Sequence, residues 1–295
     1  LYHALSAANK DYCVFVFDSE ILDLLKNKAD RRVEFIWLAV SELKTALQKQ
    51  GGDLMVLHGL ASDEIPKLAD QLHVDAVFCN HDYEPAALAR DAQVQSALAA
   101  HGVAWVGVKD HVIFERREVL TQTGKPYGVF TPYLRAWLAR MGDAGPARHD
   151  SHSQGKRLAA RPAGLDAPVP TLADIGFEPT NLRALGIAPG ASGAQAMLED
   201  FIPRMDAYDE TRNFPAVKGP SYLSVHLRFG TVSIRRLARE AWQRSEAGSR
   251  GAEVWLSELI WRDFYVQVLH NFAHVGHGQS FKPEYDAIHW EHGPH

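Results

Sequence analysis

Tyr12-Cys13-Val14-Phe15-Val16-Phe17, closed by Asp18, decides how the first half of the chain folds. The run has no polar alternation, so it reads as a strand buried on both faces, the kind that parallel sheets contain. Downstream, Val33, Ile36, Trp37, Val40, Leu43 and Leu47 keep helical spacing over 31–50, and the pattern stops at Gly51-Gly52. Leu54 to Gly59 is the next strand, and 62–72 a helix with Ser62 placed to cap it. Val74 to Asn80 follows as a third strand, then a helix over 85–100 with Pro85 in its first turn, then a fourth strand from Val103 to Val108. This succession predicts a doubly wound, Rossmann-like parallel sheet with helices on both faces. Ligands of such sheets bind outside the carboxyl ends of the strands, which is where Asn80 to Glu84 falls.

From 142 to 190 the periodicity dissolves among Gly142, Gly145-Pro146, Arg161-Pro162, Pro168, Pro170, Pro179 and Pro189-Gly190. The stretch reads as an interdomain connection running over the surface. After Ser192 only helical patterns appear, over 193–206, 221–229, 232–246 and 252–270. The expected plan is therefore α/β then all-α: an α/β domain over 1–141, a linker over 142–190 and a helical domain over 191–295. The 295 residues suffice for two such cores.

With 46% hydrophobic and 23% charged residues, the composition is that of a soluble globular protein. No stretch reaches the roughly 18–20 apolar residues that span a bilayer. Leu1-Tyr2-His3-Ala4-Leu5 resembles the middle of a helix and lacks the features of a signal peptide. Cys13 and Cys79, each inside an apolar run, suit a reducing compartment, so cytoplasm is the expected location. A net charge of −5 argues against a uniformly basic nucleic-acid protein but leaves room for a local basic groove.

The richest chemistry lies in Trp255-Leu256-Ser257-Glu258-Leu259-Ile260-Trp261-Arg262-Asp263-Phe264-Tyr265. On a helix, Trp255, Glu258, Arg262 and Tyr265 fall on one face, and Trp261 leans towards it. Such a wall suits a planar, partly charged heterocycle, such as a flavin or an extruded base. The plainer reading is an amphipathic helix with two buried indoles and a surface Glu–Arg pair. Ser221 and Ser224 could cap a helix and leave an anion site at its N-terminus, or serve as a simple cap. His270, His274 and His277, and likewise His289, His292 and His295, have helical spacing, but neither set carries a cysteine or resembles a zinc signature; no metal is expected.

Taken together, Tyr208-x3-Arg212, Ser221-Tyr222-Leu223-Ser224, His226-Leu227-Arg228-Phe229-Gly230 and Trp255-x2-Glu258-Leu-Ile-Trp261-Arg262 resemble the flavin-domain signature of class I DNA photolyases and cryptochromes. Pro126-Tyr127-x2-Phe130-Thr131-Pro132-Tyr133 and Asn80-x2-Tyr83-Glu84 resemble the same family in the first half, and all of these run in family order. The resemblance implies an antenna domain followed by an incomplete helical FAD-binding domain, with the family's first strand and some 180 further residues outside the chain.

It also implies roles. Tyr208, Ser221, Tyr222, Leu223, Ser224, Trp255 and Arg262 would contact FAD, with the serine segment at the diphosphate and Pro220 replacing the family's usual Thr. Arg212 would touch the DNA backbone. Glu258 and Trp261 would face an extruded pyrimidine dimer, Trp261 by stacking and Glu258 by donating a hydrogen bond from a carboxyl kept protonated by burial against indoles. Trp290 would be the surface end of an electron-transfer chain. Glu84 matches a glutamate that holds a folate antenna (methenyltetrahydrofolate), although the family's partnering Lys is missing near Gly276-His277, so a flavin antenna or none also fits. The implied enzyme is a deoxyribodipyrimidine photolyase, a lyase in which reduced FAD passes an electron to a dimer in ultraviolet-damaged DNA. A cryptochrome-type photoreceptor is the alternative. The isolated fragment is expected to be inactive and monomeric, with no membrane partner.

Overall fold

The computed structural model describes residues 1–149, 152–165, 168–291 and 293. After the short helix α1 (Tyr2–Ala7) come β1 (Cys13–Asp18), α2 (Ser19–Leu22), α3 (Arg31–Lys49), β2 (Leu54–Gly59), α4 (Ala61–Leu72), β3 (Ala76–Asn80), α5 (Pro85–Ala100) and β4 (Ala104–Val108). Helices α6 (Phe130–Met141), α7 (Gly190–Phe201), α8 (Tyr208–Thr211), α9 (Ser224–Arg228), α10 (Ile234–Glu246) and α11 (Arg250–Asn271) complete the order. An α/β layer followed by helices is thus present as the strand runs and helical spacings require.

The expected parallel α/β layer is present, and among the described residues its four strands pair as two ladders, β1 with β2 and β3 with β4, each in parallel. In a doubly wound sheet the first strand sits in the middle, with later strands leaving it on both sides. None of the described residues takes that central place. Within the β1–β2 ladder, alternate residues divide between two faces. Phe15, Phe17, Leu54 and Val56 join Val33, Val40 and Leu47 of α3 in one core, while α4 packs on the same strands. A smaller cluster joins Ala69 of α4 with Val94 and Leu98 of α5, against Val77 and Trp105.

The 142–190 stretch does more than run over the surface. Leu158, Leu172, Ile175 and Phe177 are buried in the α3 core. Its backbone pairs with Asp11 through Arg157 and Ala159, and Trp37 Nε1 donates to the Pro170 carbonyl at 2.7 Å. Arg161 meets Asp53 at 3.0 Å. Asp53 also accepts from the buried Lys44 Nζ at 2.9 Å, so the ammonium lost to water is compensated locally. A stretch without periodicity can still supply a core when its apolar residues arrive singly between prolines.

The helices form a second, larger core. Trp255, Leu256, Leu259, Ile260, Phe264 and Val268 of α11 pack against Leu237, Ala238 and Ala241 of α10 and against Phe201, Met205, Tyr208 and Leu223. Ser249 caps α11 by accepting from Ala252 N at 3.2 Å. Helix α6, whose first residues end the Pro126–Tyr133 motif, supplies the fully buried Tyr133 and Trp137 to this core. Residue positions 113 and 119, in the loop after β4, join it as well. The first half of the chain thereby reaches into the helical half.

Candidate functional site

The site grows from α11, whose 22 residues present different chemistry on each side. Glu258 Oε1 accepts from Arg212 Nη1 at 2.6 Å, and the Arg212 guanidinium lies 5.3 Å from the centre of the Tyr208 ring. Helix α8 carries Tyr208 against the α11 core and leaves Arg212 at its end, free to reach across. Glu258 is not walled in by indoles: its side chain is 36% exposed, and it belongs to an ion pair. The burial against indoles that was expected of Glu258 is therefore not what surrounds it: its partner is the Arg212 guanidinium, at a half-exposed position. The same pair raises the Arg212 pKa further, chiefly through the Glu258 hydrogen bond.

Trp261 lies one turn on and is half-buried. Phe130 stacks on it with centroids 3.6 Å apart and planes at 10°. Tyr265 stacks on it at 5.4 Å and 25°, and Phe264 meets it edge-on. Trp255 is different: it is buried in the core against Phe201, with ring centroids 4.8 Å apart.

Arg262 shares the angular position of Trp255 but sits seven residues further along, roughly 10 Å up the axis. There the helix is covered by the loop after β4, and the Arg262 guanidinium donates to the His111 carbonyl. The expected single face thus divides in two. Glu258 and Trp261 face an open edge with Arg212, whereas Arg262 and its neighbour Asp263 clasp the first half.

Asp263 is the functional-looking residue that sequence reasoning missed. Its buried carboxylate accepts from Ile113 N at 3.1 Å, Phe114 N at 3.1 Å and Trp137 Nε1 at 2.9 Å. Burial pushes its pKa up to about 6, against the pull of these donors and of Arg262. The available signal was phase: position 263 continues the buried stripe of Leu256, Leu259, Ile260 and Gln267.

The turn before α9 departs from the expected cap. Helix α9 begins at Ser224, its N-cap position is Leu223, and neither serine caps it. Ser221 Oγ instead accepts from Leu223 N at 3.4 Å, and Tyr222 is held at φ +57°, a left-handed conformation that costs a tyrosine on the order of 1–2 kcal/mol. Arg204 fixes the approach to this turn. Its Nη1 donates to the carbonyls of Lys218, Gly219 (3.2 Å) and Pro220 (3.3 Å), while Nη2 holds Asp200 at 2.7 Å. Lys218 Nζ closes the clamp on the other Asp200 oxygen at 2.8 Å. The turn thus presents Tyr222 and Ser224 to solvent, with Leu223 buried as its anchor.

At the carboxyl ends of β3 and β4, Tyr83 Oη donates to Glu115 Oε2 at 2.5 Å, and His81 Nδ1 lies 3.0 Å from the same oxygen. Burial and the Glu115 charge push the Tyr83 phenol up, keeping it a donor. Burial also opposes the Glu115 charge, but the bonds from Tyr83 and His81 outweigh it and hold that carboxyl below its usual range. Glu84 is exposed at the start of α5, 3.5 Å from Arg228. Gly276 approaches so closely that a Cβ there would lie 2.8 Å from Pro85 Cγ, leaving no room for a longer residue beside Glu84.

Trp290 is 71% exposed, beyond the last helical turns. No cluster of three or more metal-ligating side chains occurs among the described residues, and His292 and His295 lie outside them. No helix of the described residues is long and apolar enough to cross a membrane.

The residues expected at FAD fit that group in part. The exposed hydroxyl-bearing turn at Ser221–Ser224 and Tyr208 suit one edge of a nucleotide cofactor. Trp255 is turned into the core, and Arg262 is engaged elsewhere.

Comparison with known proteins agrees with this architecture. A family model described as DNA photolyase matches residues 1–151. A deoxyribodipyrimidine photo-lyase of a Synechococcus species is 33% identical over 94% of this chain and 58% of that protein. The deoxyribodipyrimidine photo-lyase of Halobacterium salinarum is 34% identical over 95% of this chain and 58% of that protein. A bacterial class III photolyase from Agrobacterium tumefaciens, a solved structure, superposes with a TM-score of 0.81 at 24% identity, covering 98% of this chain and 59% of that one. That solved structure shares this chain's fold, and by the family match the chain belongs to the DNA photolyase family. The chain spans 58% of the length of the two curated relatives it matches.

Proposed function

We propose that the complete protein repairs cyclobutane pyrimidine dimers in DNA with light. The observation that carries this reading is the Arg212–Glu258 ion pair beside Trp261, on an open edge, in a chain whose relatives bear the name deoxyribodipyrimidine photo-lyase. FAD, when bound and reduced, supplies the light-excited electron. The chain's own residues bind and orient. Arg212 exchanges its carboxylate partner for a DNA phosphate, releasing Glu258 to the pyrimidine carbonyls. Trp261 offers an indole face for stacking, an interaction worth on the order of 1–3 kcal/mol per base.

Tyr208 and the Ser221–Ser224 turn hold the cofactor, with Trp255 and Leu223 as packing beneath it and Arg262 acting through the loop at His111. Trp290 serves as the exposed end of the path that recharges the flavin. An antenna chromophore would lie at the strand ends near Glu84; with no lysine at Gly276 or His277, a flavin type or none is favoured over a folate. The setting is a cytoplasmic monomer acting on ultraviolet-damaged DNA.

The test uses the full-length protein reconstituted with FAD, irradiated oligothymidylate and blue light. Light-dependent dimer loss is expected, and Glu258→Ala should slow it by about tenfold or more. Cofactor photoreduction with no dimer loss would transfer the assignment to a photoreceptor of the cryptochrome type. Equal repair by Glu258→Ala would remove that residue from the mechanism.

A further inference from the structure

We propose that Tyr265 is a gate over Trp261, filling the place of a stacked base while the site is empty. The inference rests on the reading above in one respect, that Trp261 receives an extruded pyrimidine. An indole has two faces for stacking. Phe130 covers one of them nearly in parallel at 3.6 Å. Phe130 is itself wedged against Phe264, with centroids 5.8 Å apart, so it is not free to leave.

Tyr265 is inclined at only 25° to the indole and makes no ring contact with Phe130, which puts it against the opposite face. It stands one turn beyond Trp261 on α11, so a change of χ1 alone swings it away. Its side of the helix is open: the residue is 62% exposed. The base-accepting surface is thus covered by the most exposed ring of the group, and Glu258 and Arg212 flank it already paired with each other.

Entry of a base exchanges one ring on Trp261 for another. The gate sets a threshold: a base still stacked in its own duplex has no reason to displace Tyr265, whereas an unstacked or damaged one does. Tyr265 therefore acts on discrimination and on the rate of capture, and not on electron transfer.

The experiment follows the full-length protein, reconstituted with FAD and kept in the dark, binding a thymine-rich duplex that is either ultraviolet-irradiated or untreated. Stopped-flow association is read beside acrylamide quenching of Trp261, isolated by subtracting the Trp261→Phe variant. Tyr265→Ala should bind both oligonucleotides about two- to tenfold more tightly, matching the ring–ring contact it removes, and should narrow the preference for the irradiated one. Trp261 should become more quenchable in the same variant, while Tyr265→Phe should behave as the native chain. Tyr265→Leu keeps the bulk without the stacking ring and replaces alanine should that variant unfold.

Weaker binding by Tyr265→Ala would make Tyr265 a second stacking platform and overturn the gate, as would unchanged quenching. Trp261→Ala binding like the native chain would instead sink the assignment of Trp261 itself. Full-length native protein that binds neither oligonucleotide overturns both.

Discussion

Asp263 joins two halves of the molecule through a single carboxylate. Truncating it to alanine strands two backbone N–H groups and the Trp137 indole N–H, each worth about 1–3 kcal/mol when left without an acceptor. Asp263→Ala should therefore lower the unfolding free energy by about 3–5 kcal/mol in urea titrations. Its pKa gives a second readout. The folded value, near 6, lies above that of an unfolded aspartate, so the folded state favours the protonated form. Stability from this group is fully present below the ordinary aspartate range and is lost as pH rises through about 6. Subtracting the melting profile of Asp263→Asn from that of the native chain should expose this downward slope; parallel profiles would show that the three donors neutralise the effect of burial. Glu258 and Trp261 stood out in the sequence because tryptophans interleaved with charges on one helix are unusual, whereas Arg212 came only with the family resemblance. Asp263 did not stand out, since an acidic residue next to an arginine reads as half of a surface pair.

Among the elements, α11 and the strands follow their hydrophobic periods closely, with ends shifted by a residue or two. Helix α6 was marked in the sequence only as a motif and not as a helix, and Pro132 does not break it, because proline is tolerated in the first turn of a helix. Tyr133 and Trp137, four apart, were the overlooked signal. Ser62 and Ser224 show the converse failure, for both lie inside the first turn of their helices instead of at the cap. Cap position depends on where the preceding chain enters, and that is set by packing. The turn before α9 depends in the same way on Arg204, distant from it in sequence. Arg204→Ala should free the carbonyls at 218–220 and let the left-handed Tyr222 relax. Amide exchange over 218–223 should quicken on the order of tenfold, as should tryptic cleavage after Lys218. Protection unchanged in both assays would mean that the turn holds its shape without the clamp.

Across the whole molecule, α3 docks on the helical half at two points. Glu42 accepts from Ser192 N and Ser192 Oγ at 2.8 Å each, at the first turn of α7. Phe35 meets both His226 and Phe229. His226 is completely buried, and burial holds its pKa below the ordinary value despite the pull of Glu42. A histidine kept neutral by the fold contributes stability that is present above about 6.5 and is lost as pH falls, a slope opposite in sign to that of Asp263. His226→Gln should flatten the acid limb of the native melting profile, and an unaltered limb would clear His226 of that role. None of this docking is readable from periodicity, which reports the face a helix buries but not the partner that covers it. The two strand ladders carry one more consequence, mechanical in kind. Each ladder is zipped internally by main-chain bonds, yet no such bond links one ladder to the other among the described residues, and α4 lying against α5 fastens them side by side. Pulled from opposite ends, the layer formed by these 295 residues alone has a seam. It would part there, by peeling side chains one after another, well before either ladder sheared.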